Sequence, residues 1–173
     1  MEGENDAVIR AENLTKIFSV PGKPSVPALT DLTFSVRRGG ITALIGPDGA
    51  GKTTLMRLIC GLMTPTAGHL TVLGYDTAKE AAALQAKLSY MPQKFGLYED
   101  LTVAENMNLY ADLHGIAEEL RPKRFAHLLA MTDLTSFTTR LAGKLSGGMK
   151  QKLGLACTLV RSPDLLQIGR AHV

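Results

Sequence analysis

The stretch GPDGAGKT, residues 46–53, fits the pattern G-x-x-x-x-G-K-[ST] and decides how the chain around it reads. Four fixed positions gain weight when a strand leads in and a helix leads out, and both are legible. ITALI, residues 41–45, is a short all-apolar run of the kind that forms a strand buried on both faces. GKTTLMRLICG, residues 51–61, has helical spacing with Gly61 as its C-terminal stop. In that setting the glycines let successive backbone N–H groups turn toward one anion, and the helix N-terminus adds its partial positive charge. Lys52 is expected to reach the β- and γ-phosphates of a nucleotide, and the Thr53 hydroxyl to ligate Mg²⁺. Asp48 is the odd residue of the loop. A carboxylate facing the phosphates would repel them, so it is expected to point to solvent.

Outward from the loop the chain alternates strands and helices. VIRAENLTKIF and ALTDLTFSV read as two strands joined by a hairpin-like loop, with Leu32, Phe34 and Val36 alternating inward on the second. After Gly61, TPTAGHLTVLG returns by a turn and a strand, TAKEAAALQAKL reads as a helix, and LSYM as a further strand. The texture then changes. Thr102 and Glu105 form a capping box at the start of an amphipathic helix, and Pro122 opens a second helix reaching about Met131. Residues 95–140 therefore read as a mostly helical insert in an otherwise α/β chain.

The composition narrows the function classes. Nineteen basic against sixteen acidic side chains give a net charge of only +3, and the signs alternate along the sequence, so no nucleic-acid partner is indicated. Cys60 and Cys157 sit inside apolar helical patterns without a CxxC spacing or a histidine cluster, and read as reduced core thiols of a cytosolic protein. No apolar run approaches the ~20 residues of a membrane span, so any membrane connection is expected through a partner.

KLSGGMKQKLGLACTLV carries a second bare helix start, with Ser146 as N-cap, two glycines, and Met149, Leu153, Ala156 and Leu159 at helical spacing. Alone it would be a well-capped amphipathic helix. Together with the phosphate loop, the residues Leu145, Ser146, Gly147, Gly148 and Met149 resemble the Leu-Ser-Gly-Gly-Gln signature of the ATP-binding cassette (ABC) family. YMPQKFGLYEDLTVAEN is similar to the Q-loop region of that family. The resemblance covers residues 7–166 and looks most like the first cassette of a tandem-cassette ATP-binding subunit of a bacterial drug exporter.

The resemblance implies a P-loop NTPase of the ABC type, α/β in class, with an N-terminal antiparallel β subdomain and a helical insert. It implies ATP contacts from Phe18, stacked on adenine, and from Gly46, Pro47, Asp48, Gly49, Ala50, Gly51, Lys52, Thr53 and Thr54. Catalytic roles fall to Lys52 and Gln93, with Thr53 and Gln93 on Mg²⁺ and Gln93 also near the attacking water. The signature residues would hold the nucleotide of a second cassette packed head to tail. A membrane-spanning permease is the other implied partner, reached from the cytoplasmic face. The loop around Phe95, Leu97 and Tyr98 reads as part of the groove where that permease docks, while Leu97 could equally pack on the helical insert. Met149 departs from the usual glutamine, which removes one side-chain hydrogen bond and leaves Ser146 and the backbone amides.

The larger departure is the ending. In P-loop ATPases an apolar strand delivers an acidic residue to Mg²⁺. RSPDLL resembles the beginning of that strand, yet QIGRAHV stands where further leucines and Asp-Glu-Pro are expected. Residues 168–173 can be encoded by ATCGGAAGAGCACACGTC, which resembles the start of a sequencing adapter. Residues 167–173 are therefore expected to be a non-native tail, the natural protein to be longer, and the C-terminal part of the core sheet to be missing. A chain without those strands and the water-polarising glutamate is expected to be unstable and without ATPase activity. Two other classes compete with the exporter subunit. A soluble cassette acting on ribosomes or DNA predicts a basic linker or zinc-binding insert, neither of which is legible, and a non-hydrolysing ATP-dependent switch predicts a substituted glutamate.

Overall fold

The computed structural model describes residues 6–93 and 96–169, and the chain divides into two compact units that meet in sequence between Leu88 and Ser89. The first is built on an antiparallel sheet. Strands β1 (Ala7–Phe18) and β2 (Val26–Arg37) form a hairpin, β3 (Ala67–Val72) pairs with the other side of β1, and β4 (Tyr75–Asp76) pairs with β3, giving the order β2-β1-β3-β4. As the central strand, β1 buries Val8, Ile9, Ala11 and Leu14, while edge strand β2 leaves Leu32, Phe34 and Val36 only half-buried on one alternating face. The predicted alternation is present, with less burial than a two-sided core would give.

The β1–β3 ladder shifts register between Glu12 and Thr15, and Gly68 lies opposite that irregularity at φ +81°. A Cβ there would stand 2.2 Å from the Asn13 carbonyl oxygen, so only glycine admits this approach of the two backbones.

Helix α1 (Lys52–Ile59) packs Leu55, Leu58 and Ile59 into the unit and stops at Gly61, φ +64°. The Gly61 N–H donates to Leu58 O and the Leu62 N–H to Arg57 O, the paired bonds of a Schellman ending, so the predicted stop is confirmed in its mechanism. Helix α2 (Ala81–Gln85) is shorter than the twelve-residue pattern predicts. Its first residues are taken by a turn in which Asp76 accepts from the Ala78 N–H and the Asp76 N–H donates to Glu80, a side-chain alternative to helical bonds.

One expectation fails here. Residues 41–45 form no strand, and Ile41 and Ile45 are 104% and 89% exposed. An apolar run becomes a buried strand only where strands on both sides take its N–H and C=O groups, and among the described residues no strand is hydrogen-bonded to it.

The second unit is helical around one core. Helices α3 (Val103–Leu113), α4 (Arg121–Met131) and α5 (Gly147–Leu159) contribute Val103, Met107, Leu128, Leu129, Leu153, Ala156 and Cys157, and Leu134, Ala142 and Val160 close the cluster. The capping box of α3 is complete: Thr102 Oγ1 accepts from the Glu105 N–H at 3.2 Å, and Glu105 Oε2 accepts from the Thr102 N–H at 2.7 Å. Pro122 lies in the first turn of α4 as expected. Arg124 donates to Val160 O at 2.6 Å, setting a cation at the carbonyl end of α5. Strand β5 (Leu88–Met91) pairs with β6 (Leu165–Ile168), and the Gly169 N–H donates to Met91 O. Strand β6 thus includes Gln167 and Ile168 of the expected tail, while residues 170–173 lie outside the described residues.

Candidate functional site

The phosphate loop is built by backbone conformations that its sequence demands. Gly49 and Gly51 both adopt left-handed φ, +82° and +80°, and Gly51 is the N-cap of α1. A Cβ at Gly51 would fall 2.4 Å from Ala28 O on β2, so the loop lies directly against the sheet edge and can carry no side chain there. No side chain caps α1, which leaves the amides of its first turn for something other than the loop. The Lys52 ammonium folds back over the loop and donates to Gly46 O and Pro47 O, both at 2.6 Å. Thr53 is exposed and Thr54 half-buried on that turn, and Asp48 is exposed as expected.

Phe18 ends β1 at 37% exposure, with Lys16 Nζ 5.5 Å from its ring centroid. The ring is therefore a surface group with a cation beside it, not a core aromatic.

In the second unit the signature residues form the start of α5. Leu145 is buried, Ser146 caps the helix by accepting from the Met149 N–H at 3.3 Å, and Gly147 and Gly148 lie exposed in the first turn. Both glycines have ordinary helical backbone, and a Cβ at either would meet nothing within 4 Å. Gln93 stands exposed at a bend just after β5. Leu97 packs on the helical core, whereas Tyr98 is 56% exposed; Phe95 lies outside the described residues.

Sequence reasoning missed three residues that organise this region. Asn106 is fully buried on α3: its Oδ1 accepts from the Tyr98 N–H at 3.0 Å and its Nδ2 donates toward the carbonyls of Tyr98, Leu101 and Thr102 at 3.0–3.2 Å. A polar residue among Val103, Met107 and Ala111 on an apolar helix face was the available signal. Glu99 and Lys150 form an ion pair at 2.6 Å, which nothing in their 51-residue separation announces.

Among the described residues no group of His, Cys, Asp and Glu side chains could hold a metal, and no helix is long and apolar enough to cross a membrane. Burial pushes the thiols of Cys60 and Cys157 up to about 12, which keeps both protonated and unsuited to ligation.

The chain is 59% identical over 169 residues to the probable multidrug ABC transporter ATP-binding protein YbhF of Escherichia coli, covering 98% of this chain and 29% of that protein. It is 33% identical over 159 residues to the linearmycin resistance ATP-binding protein LnrL of Bacillus subtilis, covering 92% of this chain and 50% of LnrL. The chain thus spans half or less of these relatives' length. Among solved structures it resembles a dimeric post-hydrolysis ATP-binding cassette bound to ADP and Pi, with a TM-score of 0.78, 27% identity, and coverage of 92% of this chain and 72% of the other. The family profile described as ABC transporter matches residues 29–168. Because that match takes in both helix starts and most of the sequence, the chain belongs to the ABC transporter family.

Proposed function

We propose that the chain is the cassette of an ATP-hydrolysing subunit of a bacterial drug exporter, holding ATP between its phosphate loop and the signature turn of a second cassette. The observation that carries this reading is the pair Gly147 and Gly148. Glycine within a helix is less favourable than most residues, and among the described residues no contact and no left-handed φ requires it here. What remains is access: bare amides at a helix N-terminus that an anion can approach closely.

On this reading Lys52 exchanges its two loop carbonyls for the β- and γ-phosphates, and the amides from Gly49 to Thr54 surround them. Phe18 stacks on the adenine with its exposed ring. Thr53 and Gln93 would hold Mg²⁺. The exposed hydroxyl of Thr53 is a hard oxygen donor of the kind that suits this ion, which when bound neutralises phosphate charge. Ser146, Gly147 and Gly148 close on the γ-phosphate of the partner cassette's ATP, so that loss of that phosphate removes the contact and lets the pair reopen. The subunit works on the cytoplasmic face, attached to the membrane through a permease that carries the substrate pathway; residues 7–166 form the cassette, with 95–140 as its helical part.

The test is release of a fluorescent ATP analogue from the full-length protein, chased with unlabelled ATP. Gly147→Asp fits sterically, since its side chain meets nothing, and it puts a carboxylate where the phosphate is to be gripped. The expected result is analogue release faster by at least about tenfold, with Lys52→Ala abolishing binding. Release from Gly147→Asp at the wild-type rate would refute the two-tip grip.

A further inference from the structure

Phe18 ends β1 with its ring in reach of solvent, and an exposed phenyl at a strand end has several rotamers open to it unless something holds it. Here a cation does. Lys16, two residues earlier on the same strand, sets its Nζ over the ring at 5.5 Å from the centroid, inside the roughly 6 Å reach of a cation–π contact.

The ammonium has a fixed place of its own. It donates to Thr64 O at 2.8 Å, in the turn between α1 and β3. That turn is itself laced to β1: the Thr66 N–H donates to Thr15 O at 2.8 Å, and Thr66 Oγ1 accepts from the Ile17 N–H at 3.0 Å. These bonds join residues 64–66 to residues 15–17, directly beside Phe18. Across the hairpin Phe18 pairs with Val26, and Ala28, two residues further along β2, meets the phosphate loop at Gly51. The ring and the phosphate loop therefore share one hairpin, and the ring is held against it by a pinned charge.

An aromatic ring carries negative charge on both faces, so two rings laid squarely face to face repel. A cation against one face of Phe18 draws that density toward itself and makes the other face a better platform for a base. Lys16 is half-buried, which spares this attraction the full screening of water.

We propose that Lys16 is a positioning residue for the nucleobase: its ammonium, pinned by Thr64, holds and polarises the Phe18 ring, so that adenine, phenyl and ammonium form three layers. This rests on the stacking of adenine on Phe18 proposed above. Such a contact acts on the base and leaves the phosphates alone, which separates it from the contributions of Lys52 and the loop amides.

The experiment is isothermal titration calorimetry of the full-length protein with ATP and, separately, with inorganic tripolyphosphate, each with Mg²⁺; tripolyphosphate offers the phosphates without a base. Lys16→Met keeps an unbranched side chain and removes the charge. It is expected to weaken ATP binding about two- to fivefold, the range of a partly exposed cation–π contact, and to leave tripolyphosphate binding at the wild-type value. Lys16→Arg keeps a cation able to lie over the ring, and is expected to bind ATP within about twofold of wild type. In a Phe18→Ala background Lys16→Met is expected to change nothing further, because the ring through which it acts is gone. Lys16→Met with wild-type ATP affinity, an equal loss for both ligands, an arginine variant no better than methionine, or a full effect without the ring each overturns the role of Lys16. If Phe18→Ala alone weakens ATP binding while Lys16→Met does not, stacking stands and only the role of Lys16 falls. If Phe18→Ala binds ATP as tightly as wild type, stacking and the role of Lys16 fall together.

Discussion

Replacing Asn106 gives a quantitative test of how the loop between β5 and α3 is held. Its amide has two N–H protons spread over three carbonyl oxygens and one oxygen that accepts from the Tyr98 N–H, so the side chain is worth three effective hydrogen bonds rather than four. Two of those carbonyls keep other donors after its removal, since Leu101 O also accepts from Ala142 and Thr102 O from the Asn106 backbone. At about 1 kcal/mol per net bond, Asn106→Ala should cost about 3 kcal/mol. Asn106→Asp is nearly isosteric but sets a carboxylate against three carbonyl oxygens in a fully buried site, and should cost more than alanine at neutral pH. The sign with pH follows from linkage. The introduced carboxyl is raised in the folded state above its unfolded value, so the folded protein binds the proton more tightly and the penalty shrinks as pH falls. Urea denaturation of wild type and both variants at neutral and mildly acidic pH measures this, with hydrogen exchange at the Tyr98 amide reporting the loop itself. An aspartate variant no less stable than the alanine variant at neutral pH, or one whose deficit grows on acidification, would refute the account of Asn106 as a donor to carbonyls.

Two further outcomes follow from the first unit and from the buried thiols. Gly68→Ala combines a left-handed φ with a Cβ 2.2 Å from Asn13 O, so it should detach β3 from β1 and cost at least about 3 kcal/mol, seen as loss of strand signal in circular dichroism or of soluble protein; a wild-type melting curve would show that the ladder relaxes freely at Asn13. Burial holds both Cys60 and Cys157 at about 12, so an aromatic disulfide reagent at pH 8 should label neither until the chain opens, and reaction of either at the rate of a free thiol would mean that its unit is already open in native buffer.

What the sequence made legible is what is encoded locally. The Schellman stop at Gly61, the Thr102–Glu105 box and the Ser146 cap each depend on side chains within a few residues, and each forms as read. ITALI failed because its strand character depends on neighbours rather than on its own apolar residues: the run is exposed where no strand among the described residues pairs with it. Glu99, Lys150 and Asn106 escaped notice for the same reason in reverse, since their partners are set by tertiary packing. The glycines divide along this line too. Gly51 and Gly68 are required by the fold, each with a backbone atom closer than 2.5 Å to where a Cβ would stand, so their presence says nothing about a ligand. Gly147 and Gly148 have open space and ordinary helical backbone, and no contact among the described residues needs them. A helix start that keeps two costly residues for no internal reason is shaped by something outside the chain, and bare amides beside a serine cap select an anion for that role.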